Sequence, residues 1–407
     1  MEPVSKCFDG RAASGATSGV TSVIVTTVLA TITLLTLTRY TLWPSSKPKV
    51  IPGPLTTYVP KLSQEELKKL DYHPDYYPGA RDVATPYGNI RVYEFGPDDG
   101  RKVLFIHGIS TTCMTLQDIA RPLAEKGCRI MLFDLFGRGY TDAPGDLEYD
   151  TRLWVTQILL VLASSKITWT GENGLNVVGY SLGGGIAANF AATFPHMVET
   201  LILLAPAGVV RPENIGRASR LIFTSGIIPE RLLGRLTKWR LKQPIDKAVS
   251  KKQKPSAARS LEKSLEGEGK ESFIDAAEQE VVDPNEEGPA ALEPTPFERT
   301  VESVVHWTLD HHEGFVPAFM STIRFAPLMD QHGYWRQLAG RKPGTTAVLL
   351  GRHDQLIQKD DYVEDALPLL GGEDNVFWRV VPGAHNFPFT NGPEALECIY
   401  EFWGMKE

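Results

Sequence analysis

The sharpest chemical signal in the chain is Gly179-Tyr180-Ser181-Leu182-Gly183, where the apolar run Leu175–Tyr180 meets the helical run Leu182–Phe194. A serine on so tight a turn has its Oγ lifted clear of the strand, and glycines two positions to either side spare the neighbouring backbones a clash. The helix that follows directs its positive end at negative charge developing near the hydroxyl. The chemistry this allows is nucleophilic attack on a carbonyl, provided that a base and a group to orient that base stand alongside. Two later strand ends offer both. Thr346–Leu350 runs into Gly351-Arg352-His353-Asp354, and Val376–Val381 runs into Pro382-Gly383-Ala384-His385. Ser181 is therefore read as nucleophile, His385 as base and Asp354 as the acid that holds the base. Asp330, Asp360 and Asp361 compete for the acid role but lie away from the strand end. His353 is the nearest rival base, yet it adjoins the acid.

A developing oxyanion needs two backbone donors. One is Leu182, directly after the nucleophile. The other comes from His107-Gly108-Ile109-Ser110, which follows the strand-like KVLFIH; Ile109 is the first choice there and Ser110 the second. His107 is read as a loop-shaping side chain.

These residues converge only if particular elements carry them. Asn89–Phe95, Lys102–His107, Arg129–Leu135, Leu175–Tyr180, Glu199–Leu204, Thr346–Leu350 and Val376–Val381 read as strands. Helical patterns alternate with them at Leu116–Lys126, Thr151–Ser165, Leu182–Phe194, Asp360–Leu370 and Pro393–Trp403. Short apolar strands alternating with helices predict an α/β fold, with a mainly parallel central sheet covered on both faces. The loops at the carboxyl ends of such strands share one edge, which is where Ser181, Asp354 and His385 fall.

The motifs HGIS, FDLFGRGYTD (Phe133–Asp142), GYSLGG, GRHD and PGAH together resemble the serine-hydrolase branch of the α/β-hydrolase fold family. The resemblance covers roughly residues 82–405 and implies the chain order Ser, Asp, His for the three reacting side chains. It also implies a helical lid inserted after Leu204-Ala-Pro-Ala-Gly208. Where other branches of the family carry a nucleophilic aspartate, this chain has Ser181. The H-x-x-x-x-D motif of some acyltransferase relatives is missing, because Asn-Phe-Pro-Phe-Thr follows His385.

The rest of the chain sets limits. With 42 Lys+Arg against 49 Asp+Glu the net charge is −7, which argues against nucleic acid as a partner. The four cysteines have no zinc-type spacing and are read as free thiols. His306, His311, His312 and Glu313 resemble a metal cluster only superficially and read as the return from the lid to the core. No metal or organic cofactor is implied.

Val20–Thr38 carries no charge and is long enough, at about 19 residues, to cross the hydrocarbon of a bilayer. Its many threonines count against a span unless each hydroxyl bonds back to the helix. A cleaved signal peptide and a buried helix are the rival readings. Arg39, Lys47 and Lys49 follow the segment and only Lys6 and Arg11 precede it, which tilts the remainder toward the cytoplasmic side. The expected organisation is a tail (1–19), an anchor (20–43), a linker with a short helix (44–81), a core (82–208 and 316–407) and a lid (209–315). The lid is expected to carry a disordered loop at about 247–296.

The functional expectation is a membrane-anchored, single-pass serine hydrolase that cleaves a carboxylic ester, lipid-like in character, through an acyl-enzyme. A peptidase, amidase or carbon–carbon bond hydrolase would use the same groups. A catalytically silent binding protein on the same fold is the alternative from another class.

Overall fold

Eight strands rich in Val, Ile and Leu build one sheet in the computed structural model, which describes residues 14–42, 48–172, 174–243, 272–282 and 294–405. The strands are β2 (Ala80–Thr85), β3 (Gly88–Phe95), β4 (Lys102–Ile106), β5 (Arg129–Phe133), β7 (Leu175–Tyr180), β8 (Val198–Leu204), β9 (Thr346–Gly351) and β10 (Val376–Val381), in the order β10-β9-β8-β7-β4-β5-β3-β2. All pairings are parallel except β2 with β3 and β3 with β5. Every residue of β7 and β9 is buried, which is why these strands are continuous apolar runs instead of alternating ones. Helices Gln117–Glu125, Thr151–Ala163, Leu182–Thr193, Lys359–Leu369 and Gly392–Trp403 occur within a residue or two of their expected positions.

β2 was not legible in the sequence. It lies at the edge, only partly buried, and its Ala-Arg-Asp-Val-Ala-Thr carries no apolar run. Its hairpin to β3 turns at Gly88 (φ +108), where a Cβ would lie 2.5 Å from that of Asp142.

The segment expected as a linker is a correction. Residues 48–81 are packed into the core unit, with Tyr72 and Tyr77 buried. β1 (Val50–Ile51) pairs antiparallel with β6 (Ala143–Pro144). The Asp142 carboxylate accepts from Gly53 N at 2.6 Å and from Asn89 N at 2.8 Å, tying this segment to β3. Tyr72 donates its hydroxyl to Asp134, the residue after β5, at 3.1 Å. Proline content signalled bends here, but it was the aromatic side chains that decided packing. The expected capping box does form, Ser63 and Glu66 bonding reciprocally at the start of Gln64–Leu67.

Between β8 and β9 lies the insertion, with helices Arg217–Thr224, Glu230–Leu241, Phe273–Gln279, Pro296–His311 and Phe315–Phe325. The last of these packs against Glu230–Leu241 and so extends the insertion beyond the expected boundary at 316. The expected disordered loop needs a second correction. Ser272–Val282 forms a capped helix and turn with Phe273, Ile274, Ala277, Val281 and Val282 buried. Five apolar residues at i, i+1, i+4, i+8 and i+9 make one buried face, which the charge of the surrounding sequence obscured. Of the remainder of that loop, 247–271 and 283–293 lie outside the described residues.

Met1–Lys47 forms a unit of its own. Its helix, Ser14–Leu42, contains an 18-residue stretch, Ser22–Arg39, of mean hydropathy 1.6 with no residue buried. Thr26, Thr31 and Thr36 each donate the hydroxyl to the carbonyl four residues earlier, at 2.9, 2.8 and 2.7 Å. By length and composition this helix can cross a membrane, and a signal sequence passes the same test.

The two backbone hydrogen bonds accepted by the Asp142 carboxylate predict that Asp142→Ala loses about 2–4 kcal/mol of stability, since both donors lose a charged acceptor. Asp142→Asn, which keeps one acceptor, falls between. Urea unfolding of the three proteins measures this; equal midpoints would show that the segment does not depend on the carboxylate.

Candidate active site

Ser181 directly follows β7, and its backbone sits at φ 53, ψ −119, a conformation L-residues rarely adopt. Three glycines make room for it. A Cβ on Gly179 would lie 2.3 Å from Gly183 O, one on Gly183 2.2 Å from Ile106 O, and one on Gly184 2.6 Å from Pro206 Cβ. Ser181 N donates to Leu204 O at 3.0 Å and Ser181 O accepts from Gly184 N and Ala207 N, both at 2.9 Å, so the turn is pinned to the end of β8.

Asp354 follows β9 and His385 follows β10. Their loops are held together by Arg352 N donating to Val381 O at 2.9 Å and His353 N donating to Gly383 O at 3.0 Å. One Asp354 oxygen accepts from Leu356 N (2.9 Å) and Ile357 N (2.7 Å), which fixes the carboxylate. The other lies 2.8 Å from His385 Nδ1. On the far side of the ring, His385 Nε2 lies 3.0 Å from Ser181 Oγ. With Nδ1–H donating to the carboxylate, Nε2 is left to accept from the hydroxyl. The Tyr180 hydroxyl donates to His385 O at 3.2 Å and steadies the loop. Ser181 and Asp354 are each 5% exposed and His385 is fully buried.

The three residues read as reacting groups are thus brought into one hydrogen-bonded chain. Their rivals are not. Asp330 and Asp360 are exposed, and Asp361 pairs with Arg211 at 2.7 Å. Of the histidines near the end of the insertion, His312 is buried with Nε2 2.8 Å from Thr141 O, and His311 stacks on Tyr58. Among the described residues no three His, Cys, Asp or Glu side chains converge as metal ligands.

His107, after β4, shapes its loop. Its Nδ1 lies 3.0 Å from Gly108 O, and Nε2 accepts from Leu135 N at 2.9 Å. Burial pushes its pKa down to about 3, so the ring is neutral with the proton on Nδ1. Leu182 opens the helix after Ser181, where first-turn amides have no partner within the helix.

Two groups that sequence reasoning missed meet at the other expected oxyanion donor. Arg138, fully buried, donates to Ile109 O, Phe136 O and Thr322 Oγ1, each at 3.0 Å; burial lowers its pKa to about 10. Glu280, also fully buried, accepts from Ile109 N, Ser110 N and Ser110 Oγ, each at 2.7 Å. Arg138 was visible within FGRGYTD without a role, and Glu280 carried no sequence signal. Beside Ser181 opens an apolar cleft lined by Ile109, Val210, Phe273, Leu328, Met329 and Ile357 among others.

Residues 102–391 match the alpha/beta hydrolase fold family. The chain belongs to the α/β-hydrolase family. This hydrolase-fold chain is 32% identical over 145 residues to an uncharacterized protein of Mycobacterium tuberculosis (33% of this chain, 39% of that one). It is 30% identical over 132 residues to a serine hydrolase-like protein of Danio rerio (32% and 39%). To the 2-hydroxymuconate semialdehyde hydrolase of Pseudomonas sp. strain CF600 it is 32% identical over 119 residues (29% and 40%). The matched segments span about two fifths of the length of these curated relatives. Among solved structures, a bacterial membrane phospholipase A superposes with a TM-score of 0.55 at 17% identity, covering 93% of this chain and 97% of that one. A Bacillus subtilis carboxylesterase gives 0.54 at 14%, covering 81% and 93%. At these identities the structures speak to the fold alone.

The buried His107 ring sets a pH expectation for this α/β hydrolase. Its folded pKa lies below its unfolded value, so acid protonates the unfolded chain first and stability drains away as pH falls below about 6.5. Imidazole ¹⁵N shifts at pH 5 should report a neutral Nδ1–H ring for His107; a titration midpoint near 6.5 would contradict the burial argument.

Proposed function

We propose that this α/β hydrolase is a serine hydrolase that cleaves carboxylic esters with an apolar acyl group. The observation that carries the reading is the chain of hydrogen bonds Ser181–His385–Asp354 beside a cleft walled by aliphatic and aromatic side chains. In the proposed reaction Ser181 Oγ attacks the ester carbonyl while His385 Nε2 takes its proton, and Asp354 stabilises the imidazolium. The negative oxygen of the tetrahedral intermediate is received by the amides of Leu182 and Ile109. His385 then protonates the departing alcohol. Water enters by the same route in reverse and releases the acid.

Residues 20–43 serve in this reading as a single membrane anchor, with the hydrolase on the cytoplasmic side, which Arg39, Lys47 and Lys49 after the uncharged stretch Val20–Thr38 favour. The uncharged apolar stretch and the threonines that bond back to their own helix support the anchor. An anchored site beside a bilayer suits a lipid-like ester. Carbon–carbon bond hydrolysis is the second reading, favoured by the Pseudomonas relative's name.

A fluorophosphonate probe should label the intact chain and fail on Ser181→Ala. Asp354→Asn should lower kcat by about 10²–10⁴-fold with little change in KM, because it disturbs the imidazole without touching substrate. A panel of acyl esters, amides and β-diketones separates the readings. Turnover of the diketone without the esters would replace the first reading by the second, and no turnover with no labelling would leave a binding protein. Deleting residues 1–47 should release the protein from carbonate-washed membranes with ester turnover retained. A truncated chain that stays with the membrane would place the anchor elsewhere.

A further inference from the structure

The carboxylate of Glu280 lies where the proposed reaction needs an empty, water-excluding donor. Ile109 N–H, the amide expected to receive the oxyanion, donates to one Glu280 oxygen, while Ser110 N–H and Ser110 Oγ–H both reach the other. A Cβ on Gly108 would lie 1.9 Å from that carboxylate, so the loop is shaped to the close approach of the group. The peptide unit that donates through Ser110 N accepts from Arg138 through Ile109 O. A buried anion and a buried cation therefore face each other across one polarised peptide, and each offsets the desolvation of the other.

The same short helix also closes the cleft. Phe273 and Ala276 line it, and its volume is about 40 Å³. That is room for a few water molecules, whereas pockets that take organic ligands run to roughly 300–1,000 Å³. The helix is latched to its surroundings by polar groups outside the site. Arg240 pairs with Asp275 at 3.2 Å and with Glu278, and Phe273 N donates to Ser219 Oγ at 3.1 Å.

We infer that the Phe273–Glu280 segment is an internal plug: Glu280 occupies the oxyanion position as a built-in carboxylate, and the helix that carries it fills the acyl cleft. The inference rests on the serine-hydrolase reading and adds its regulation. The structure is then the closed state, and an apolar acyl chain entering beside Phe273 and Ala276 displaces wall and carboxylate together, because both belong to one element. The vacated amides suit any carboxylate, so the open site takes up fatty acid, the product of the proposed reaction.

The test compares the second-order rate of fluorophosphonate labelling for the full chain in detergent micelles, Glu280→Gln, Glu280→Ala and Arg240→Ala, with Ser181→Ala as blank. Glutamine keeps the size but turns an N–H toward Ser110 N–H. Arg240→Ala cuts the latch and leaves the site untouched. The plug predicts labelling at least tenfold faster for both Glu280 variants and a smaller rise for Arg240→Ala. It also predicts that decanoate slows labelling of Glu280→Ala at concentrations that spare the unmodified chain. Melting temperatures establish that the variants are folded, and should Glu280→Ala fail to fold, Glu280→Gln and Arg240→Ala decide. Labelling of folded variants at the unmodified rate or slower overturns the plug and leaves the nucleophile standing, with Glu280 a support for the loop. Absence of labelling in every protein overturns the nucleophile and the plug with it.

Discussion

Ser181 is held at a positive φ that costs an L-residue on the order of 1–3 kcal/mol, and the local structure is arranged around that one residue. β7 must stop in a buried turn, the next helix must begin at once, and neither can happen unless Gly179, Gly183 and Gly184 allow backbones to touch. The strain is held by bonds made on both sides of the residue, from Ser181 N to Leu204 O and from Ala207 N to Ser181 O. A loop that merely wandered to the same place could not fix Oγ 3.0 Å from an imidazole that is itself anchored through its carboxylate partner.

Behind this turn lies a layer of buried polar groups, each charged or neutral for a definable reason. His107 is neutral because burial disfavours the charged ring and the Arg138 cation repels it, while Nδ1–H donates to Gly108 O and Nε2 accepts from Leu135 N. Arg138 stays positive at neutral pH although burial lowers its pKa to about 10, since three acceptors surround it. Asp134 is pushed up to about 6 by burial, with the hydroxyl of Tyr72 and the amides of Cys113 and Tyr140 partly restoring the ionised form. These groups come from the loops after β4 and β5, so the sheet edge that presents Ser181 is braced from beneath by hydrogen bonds as much as by apolar packing.

The fold and the three converging side chains were legible in the sequence because their signals are local. A strand buried on both faces is an unbroken apolar run, and Ser181 and Asp354 follow such runs in β7 and β9, while His385 follows β10, an edge strand whose Val and aromatic residues still mark it although Arg379 is exposed. What was not legible depended on distant partners. β2 is a strand only because β3 is beside it. Residues 48–81 resembled a linker until Tyr72, Tyr77 and Gly53 found Asp134, Cys113 and Asp142. Glu280 is the extreme case: one acidic residue in a charged stretch, made significant by amides 170 and 171 positions earlier. The helix that carries it did leave a trace in Phe273, Ile274 and Ala277, but averaging over the surrounding charge erased it.

The N-terminal helix carries a consequence of its own. Thr26, Thr31 and Thr36 are five residues apart, and at about 100° per residue each is turned about 140° from the one before. Their hydroxyls are already committed to their own backbone, and they spiral around the cylinder instead of forming a stripe. These three threonines therefore offer a neighbouring helix neither a seam of spare donors nor a preferred side, and any self-association that this segment drives must come from the shape of its aliphatic surface.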